Sequence, residues 1–132
     1  MNYYILTLRT DNPTAELGLF NKNQKVDYFK YRHFNQLSED LLIKIEKLFN
    51  KNKLKFSDLS GIIVYKGPGS FTGLRIGISL ANALSYSLNK PIIGSMTENW
   101  IKLGIKELLL GKNQKIVIPK YGALAHITEA KK

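Results

Sequence analysis

The stretch LSGIIVYKGPGSFTGLRIGISLANALSYSL, residues 59–88, decides the fold of this chain. It begins with a predicted strand from Leu59 to Tyr65, whose short apolar run around Ile62 is typical of a buried parallel strand. A glycine-rich loop ends the strand after Lys66, and a helix is predicted from about Phe71 to Leu88, before Pro91. A buried strand that passes through a tight loop into a helix indicates an α/β sheet.

The residues before this stretch predict an antiparallel meander followed by a helix. Strand formers recur at 3–8, 15–20 and 26–31, and turn residues separate them. Apolar residues at helical spacing then predict a helix over 37–49, which Asn35 or Ser38 would cap.

The residues after this stretch extend the sheet. A short strand is predicted at 92–94, and the capping-box spacing of Ser95 and Glu98 predicts a third helix that runs from there through Leu110. Residues 115–118 are a candidate for a last strand. The element order predicts a mixed sheet, three antiparallel strands plus parallel strands, flanked by helices.

The predicted helix 71–88 carries more apolar and small side chains than one sheet can cover. Two ridges run along it, a ridge of small residues and a ridge of large ones: Gly73, Gly77, Ala81 and Ser85, and Ile76, Leu80, Leu84 and Leu88. Together they span an arc of roughly 200°, whereas packing on a single sheet requires a stripe of about 100°. We therefore expect two surfaces to cover this helix: the chain's own sheet, and the first helix, a partner helix or both.

The loop before that helix has two open interpretations. Its distinctive residues are Gly67, Pro68, Gly69, Ser70, Thr72, Gly73 and Arg75. The helix start can bind an anion through its free N–H groups. Alternatively, the glycines only build and pack a tight turn, with Ser70 or Thr72 as the helix cap. The spacing matches neither a Walker loop nor a dinucleotide fingerprint.

Composition restricts the chemistry further. The 132 residues include 20 Lys and Arg against 10 Asp and Glu, a net charge of +10, and no Cys. The lack of Cys excludes thiol nucleophiles, disulfides and Cys-ligated zinc. Because 17 of the cations are Lys, the charge fits either a surface that binds nucleic acid or a merely solvated one. His33 and His126 lie far apart in the sequence, so no metal site is expected.

We expect no catalytic residues and no membrane association. A nuclease needs several carboxylates converging on metal ions, whereas the first predicted strand leads into Arg9 and the fourth into Lys66. No apolar run approaches the ~20 residues of a membrane span. A cytoplasmic location is therefore expected.

Several segments resemble one protein family. Residues 67–77, GPGSFTGLRIG, resemble the signature of TsaB, a family that takes part in threonylcarbamoyladenosine modification of tRNA. Ser38 and Glu39, followed by a Leu41, Leu42 and Ile45 pattern, resemble its first helix. Residues 91–95 resemble the family's strand and turn after the second helix, and residues 118–121 resemble its Pro-x-Tyr segment near the C-terminus. The resemblance covers residues 3 to about 104.

The resemblance implies an RNase H-like, actin-like (ASKHA) fold that is reduced to a single lobe. Residues 1–110 would form the N-terminal TsaB-like lobe, and residues 111–132 a remnant of the second lobe with a terminal strand and a basic tail. The implied function is that of a non-catalytic accessory subunit in a heterodimer with TsaD, which transfers threonylcarbamoyl to the adenosine beside the anticodon of tRNA. No cofactor is expected on this chain alone, since ATP and the threonylcarbamoyl adenylate belong to other subunits. A TsaE-like ATPase is a further candidate partner, and tRNA would be reached through the complex.

The resemblance also places the TsaD interface on the first two helices. The predicted interface residues are Leu41, Leu42, Ile45, Leu48, Gly73, Gly77, Ala81, Leu84 and Ser85. The chain departs from the family where the first strand normally ends near Asp-Thr-Ser, because it has Arg9, Thr10 and Asp11 there, so ATP hydrolysis by this chain alone is not expected. Two alternatives stay open: a basic RNA-binding RNase H-like module that acts without TsaD, and a homodimer through the same helices when TsaD is absent.

Overall fold

A computed structural model describes residues 1–121. Five strands form one sheet with the order β3-β2-β1-β4-β5. The strands are β1 (Tyr4–Arg9), β2 (Thr14–Asn21), β3 (Gln24–Arg32), β4 (Leu59–Tyr65) and β5 (Ile92–Ser95). Three helices pack on the sheet: α1 (Leu37–Lys51), α2 (Phe71–Leu88) and α3 (Trp100–Leu109). The predicted mixed sheet flanked by helices is confirmed.

The central strand β1 joins the antiparallel and parallel halves of the sheet. It pairs antiparallel with β2, so that Leu6 lies opposite Leu19, and parallel with β4, so that Leu6 also lies beside Ile62. All three side chains are fully buried. Strands β1 and β4 are therefore covered on both faces, as their nearly continuous apolar sequences predict.

The two faces of the sheet carry different helices. Gly61 and Ile63 of β4 pack against Leu108 and Gly104 of α3. The residues between them, such as Ile62, point to the opposite face, where α2 packs on β4 and β1 and α1 packs beside α2. Helices α1 and α2 thus share one layer, and their outer surfaces are available together.

The predicted caps of α1 and α3 were wrong. Gln36 occupies the N-cap position of α1 and no side chain caps the helix, because Asn35 has a φ of 64° and Ser38 donates to the carboxylate of Glu39 instead. Helix α3 begins at Trp100 rather than at Ser95, which is the last residue of β5.

The predicted strand at 115–118 is also wrong. Lys115 has a φ of 67°, which breaks the extended backbone, and the side chain of Asn82 binds both backbone groups of Val117, at 3.0 and 2.9 Å. A side chain thus takes the hydrogen bonds that a neighbouring strand would have used. Upstream, a 3-10 turn that was not predicted, Phe56–Asp58, precedes β4. The predicted domain division after residue 110 stays a prediction, and the predicted tail over 122–132 lies outside the described residues.

In residues 1–121, none of the helices has the length and apolar character needed to cross a membrane.

Candidate partner-binding face

The glycines at the start of α2 allow the helix to touch the end of β1. A Cβ atom on Gly73 would overlap the carbonyl oxygen of Thr10, and one on Gly77 would overlap the Thr10 side chain. The hydroxyl of Thr10 donates a 2.6 Å hydrogen bond to the carbonyl oxygen of Gly73. Close backbone packing therefore explains both glycines.

The loop itself is fastened by the C-terminal segment. Gly67 has a φ of 120°, which favours glycine, and any side chain there would overlap the carbonyl oxygen of Lys120. The N–H of Lys120 donates to the carbonyl of Lys66 at 2.7 Å, and the hydroxyl of Tyr65 donates to the carbonyl of Pro68 at 2.8 Å. The interpretation of the glycines as builders of a packed turn accounts for these contacts, while anion binding at the helix start stays a prediction.

The polar residues of the loop are arranged around that turn. Ser70 occupies the predicted N-cap position of α2, but its side chain makes no capping hydrogen bond. Thr72 and Arg75 are exposed. Gly69 packs against the side chain of Asp11, where a Cβ atom would overlap the carboxyl group.

The end of β1 holds an ion pair in place of a free carboxylate. The guanidinium of Arg9 donates to both oxygens of Asp11, at 2.8 and 3.3 Å, and lies 3.8 Å from the centroid of the Tyr65 ring. Asp11 is buried, with an exposed fraction of 8%. Its negative charge is therefore balanced within the chain.

A cleft of about 880 Å³ lies beside this ion pair, between the starts of α1 and α2. Its polar lining includes Arg32, His33, Ser38, Ser70 and Thr72. Within residues 1–121, no group of three His, Cys, Asp or Glu residues is placed to hold a metal ion.

The structure buries most of the predicted interface residues in the chain's own core. Seven of the nine are buried: Leu41, Ile45, Leu48, Gly77, Ala81, Leu84 and Ser85. Gly73 is half-buried, and Leu42 is exposed at 39%. The small-residue ridge of α2 faces inward onto the sheet, so a partner would have to contact other residues of the same two helices.

The outward side of these helices forms a different surface, which we call the α1–α2 face. It consists of Leu42 from α1 and of Phe71, Ile76, Ser79, Leu80 and Ala83 from α2, with Ser79 and Ala83 exposed. A groove of about 510 Å³ runs between the two helices and is lined by five of these six residues. Phe71 is 43% exposed.

The predicted interface residues include Leu42 but none of the α2 residues of this face, although a signal for them was present. Helix α2 has 18 residues and only one charge, at Arg75, in a chain of which 23% of the residues are charged. An exposed helix surface with so little charge is unusual in a monomer, because solvated faces normally carry Lys and Glu. The spacing of Ser79 and Ala83 also repeats the small-residue pattern of the inward side.

Comparisons with known proteins identify the fold. YeaZ from Pseudomonas aeruginosa superimposes with a TM-score of 0.66 and 22% sequence identity, over 71% of this chain and 44% of that protein. The predicted RNase H-like, ASKHA fold is thereby confirmed.

Sequence comparisons identify the family. The family model for TsaD, tRNA N6-adenosine threonylcarbamoyltransferase, matches residues 34–100, half of the chain. The tRNA threonylcarbamoyladenosine biosynthesis protein TsaB of Bacillus subtilis is 38% identical over 89 residues, which are 67% of this chain and 38% of that protein. A tRNA N6-adenosine threonylcarbamoyltransferase of Geotalea daltonii is 36% identical over 69% of this chain and 27% of its own length. The chain thus spans about two fifths of the TsaB protein that it matches, and it belongs to the TsaB family, with a domain that TsaD also has.

Proposed function

We propose that this chain is an accessory subunit of tRNA threonylcarbamoyladenosine synthesis that binds a TsaD-like subunit through the α1–α2 face. The observation that carries the proposal is the scarcity of charge on the outer side of α2, where Arg75 is the single charge in 18 residues. Membership in the TsaB family supports the pathway. The likeness to TsaD sequences supports a TsaD-like partner.

The chemistry of the α1–α2 face suits a protein helix better than a nucleic acid. Leu42, Ile76 and Leu80 offer apolar contacts, while Ser79 and Ala83 let another helix approach closely. A surface that binds RNA needs several cations to neutralise phosphates, and α2 supplies one. The exposed leucines of α3, by contrast, alternate with Lys102 and Lys106.

We also propose that the chain does not catalyse the transfer. The Arg9–Asp11 ion pair supports this, because a carboxylate that is already paired with a guanidinium is a poor ligand for a metal ion or a metal-bound nucleotide. ATP and the threonylcarbamoyl adenylate are then handled by other subunits of the complex.

The direct test is binding of the purified chain to the TsaD-like subunit of the same organism, measured by calorimetry and gel filtration. We expect a complex with a Kd in the micromolar range or tighter. Changing Ser79 and Ala83 together to Arg places two charges on the face. Binding should weaken at least about 100-fold, because the centre of an interface is desolvated and both charges would have to lose their water. The matched control is Ser57→Arg, which adds a charge at an exposed position of the 3-10 turn.

Two outcomes contradict the proposal. One is separate elution of the two proteins at micromolar concentration. The other is a complex that the doubly substituted chain forms as well as the Ser57→Arg control does.

Salt distinguishes the RNA-binding alternative, because direct tRNA binding through several lysines should weaken steeply and log-linearly as salt rises, whereas an apolar helix interface should change little.

A further inference from the structure

Arg75, the single charge of α2, is held at the edge of the α1–α2 face by an aromatic pair. Its guanidinium carbon lies 5.3 Å from the centroid of the Phe71 ring. The Phe71 ring in turn packs on the Tyr121 ring, with 4.6 Å between the centroids. Within residues 1–121, Arg75 takes part in none of the salt bridges. Among these described residues, no carboxylate pairs with its guanidinium.

The chain holds this aromatic pair from the C-terminal side. The N–H of Lys120 is bonded to the carbonyl of Lys66, at 2.7 Å, just before the motif loop. Three residues earlier, Val117 is buried and both of its backbone groups are bonded to the side chain of Asn82 in α2. Tyr121 therefore belongs to a segment that is hydrogen-bonded to the rest of the chain at two points. Tyr121 contacts Phe71, and Phe71 contacts Arg75.

We propose that Arg75 is a specificity residue of the α1–α2 face, which pairs with an Asp or Glu carboxylate of the partner and is positioned for it by Phe71 and Tyr121. This inference rests on the proposed function and names the chemistry of its partner: a helical surface of apolar and small side chains with one carboxylate opposite Arg75. A guanidinium that stacks on a ring keeps its planar fork free, and that fork matches a carboxylate with two parallel hydrogen bonds.

A second copy of this chain fits that description poorly. Helix α2 contains no Asp or Glu, so a symmetric contact between two α2 helices would leave Arg75 without a carboxylate from the facing helix. The first turn of α1 carries Glu39 and Asp40, so a homodimer is kept as an outcome of the test, read from the oligomeric state of the chain alone. The partner that we propose is a different protein.

The test measures the Kd for the TsaD-like subunit in variants whose charge is changed on opposite sides of the sheet, at Arg75 of α2 or at Lys102 of α3. Arg75→Glu should weaken binding at least about thirtyfold, and Arg75→Gln about tenfold, since a desolvated charge on the partner then lacks its counterion. Arg75→Lys should give a smaller loss, about threefold, because the charge remains and the fork does not. The control is Lys102→Glu, which makes the same charge change at an exposed position of α3 and should leave Kd within about twofold.

Two further measurements separate pairing from a structural role of Arg75. The difference between the unmodified chain and Arg75→Gln should shrink as salt is added, because salt screens an ion pair at the edge of an interface. Tyr121→Leu keeps an apolar side chain but removes the ring beneath Phe71, and should weaken binding about threefold through poorer positioning. All variants should retain the circular dichroism spectrum of the unmodified chain.

The outcomes are distinct for the two proposals. If the unmodified chain does not bind, the proposed function fails and this inference fails with it. If the unmodified chain binds and Arg75→Glu binds within twofold of it, only the role of Arg75 is overturned. An equal loss for Arg75→Glu and Lys102→Glu also overturns it, because the effect is then one of net charge.

Discussion

Small residues lie on both sides of α2, but the inward ones are buried in the chain's own core and the outward ones are exposed. On the inward side, Gly73 lies against the backbone of Thr10 and Gly77 against its side chain. On the outward side, Ser79 and Ala83 are exposed. Small residues at intervals of four therefore do not indicate by themselves whether a helix side packs within its own chain or is left exposed.

Charge, rather than residue size, distinguishes this helix from an ordinary surface helix. In α1 the outward positions carry Lys and Glu residues, such as Glu46 and Lys47, whereas in α2 they carry Ser, Ala and Tyr around the single Arg75. A helix that is covered on one side only normally gains solubility from charges on the other. The outward side of α2 therefore has the composition of a covered surface while lying exposed.

The largest expected effect comes from filling the inward side. Gly77→Leu should lower the free energy of unfolding by about 3 kcal/mol or more, because Thr10 occupies the space that the new side chain needs and backbone must move. Urea denaturation measures the change. The matched variant Ala83→Leu adds a similar bulk on the outward side and should alter stability by no more than about 0.5 kcal/mol.

The comparison between the two sides would break if Gly77→Leu and Ala83→Leu had equal stability. Such a result would mean that α2 can shift away from β1 at little cost, so that the contacts of the glycines do not fix its position.

The fold could largely be predicted from the sequence, but which side of α2 packs on the sheet could not. The period of apolar residues predicted the bounds of β4 and α2 correctly, because buried strands and long amphipathic helices leave strong patterns. The ridge from Gly73 to Ser85 was assigned to a partner because the sequence does not say that Thr10, more than 60 positions away, fills the space beside it. That contact depends on the pairing of β1 with β4.

Local capping signals failed for a related reason. Ser95 and Glu98 have the spacing of a capping box, but Ser95 is taken up by β5, where it pairs with Tyr65. Residues 115–118 include three consecutive β-branched residues, which are typical of a strand, yet the Asn82 side chain takes the backbone groups of Val117. In both cases a tertiary contact outweighed a local preference.

A smaller effect should follow from removing a single hydrogen bond on the inward side. Thr10→Val keeps the shape of the side chain beside Gly77 but loses the donor to the Gly73 carbonyl, so we expect a loss of about 1 kcal/mol. The exposed Thr72→Val is the control and should change stability by less than about 0.5 kcal/mol. Equal values for the two variants would show that the attachment of α2 depends on shape alone.

The smallest expected effect is one of pH: acid should weaken the attachment of α1 to the sheet but not that of α2. The contacts of Gly73 and Gly77 with Thr10 contain no titratable group, whereas the end of α1 is held to β3 by the carboxylate of Asp27. That carboxylate accepts hydrogen bonds from Asn52, at 3.0 Å, and from the Tyr28 N–H, at 2.8 Å, and pairs with Lys51 at 3.2 Å.

The hydrogen bond from Asn52 has the largest effect. Together these contacts outweigh the cost of burial and lower the pKa of Asp27 below its ordinary value of 3.8. Because the folded pKa is the lower one, the contribution is fully present above the unfolded pKa and is lost as pH falls through 3.8 towards the folded pKa. Asp27→Asn should therefore cost less than about 1 kcal/mol at neutral pH, and the deficit should shrink as pH approaches 3. Urea denaturation of both proteins across this range measures it. A deficit that stayed constant with pH would show that the carboxylate's charge has no part in holding α1, and acid sensitivity would then no longer distinguish the two helices.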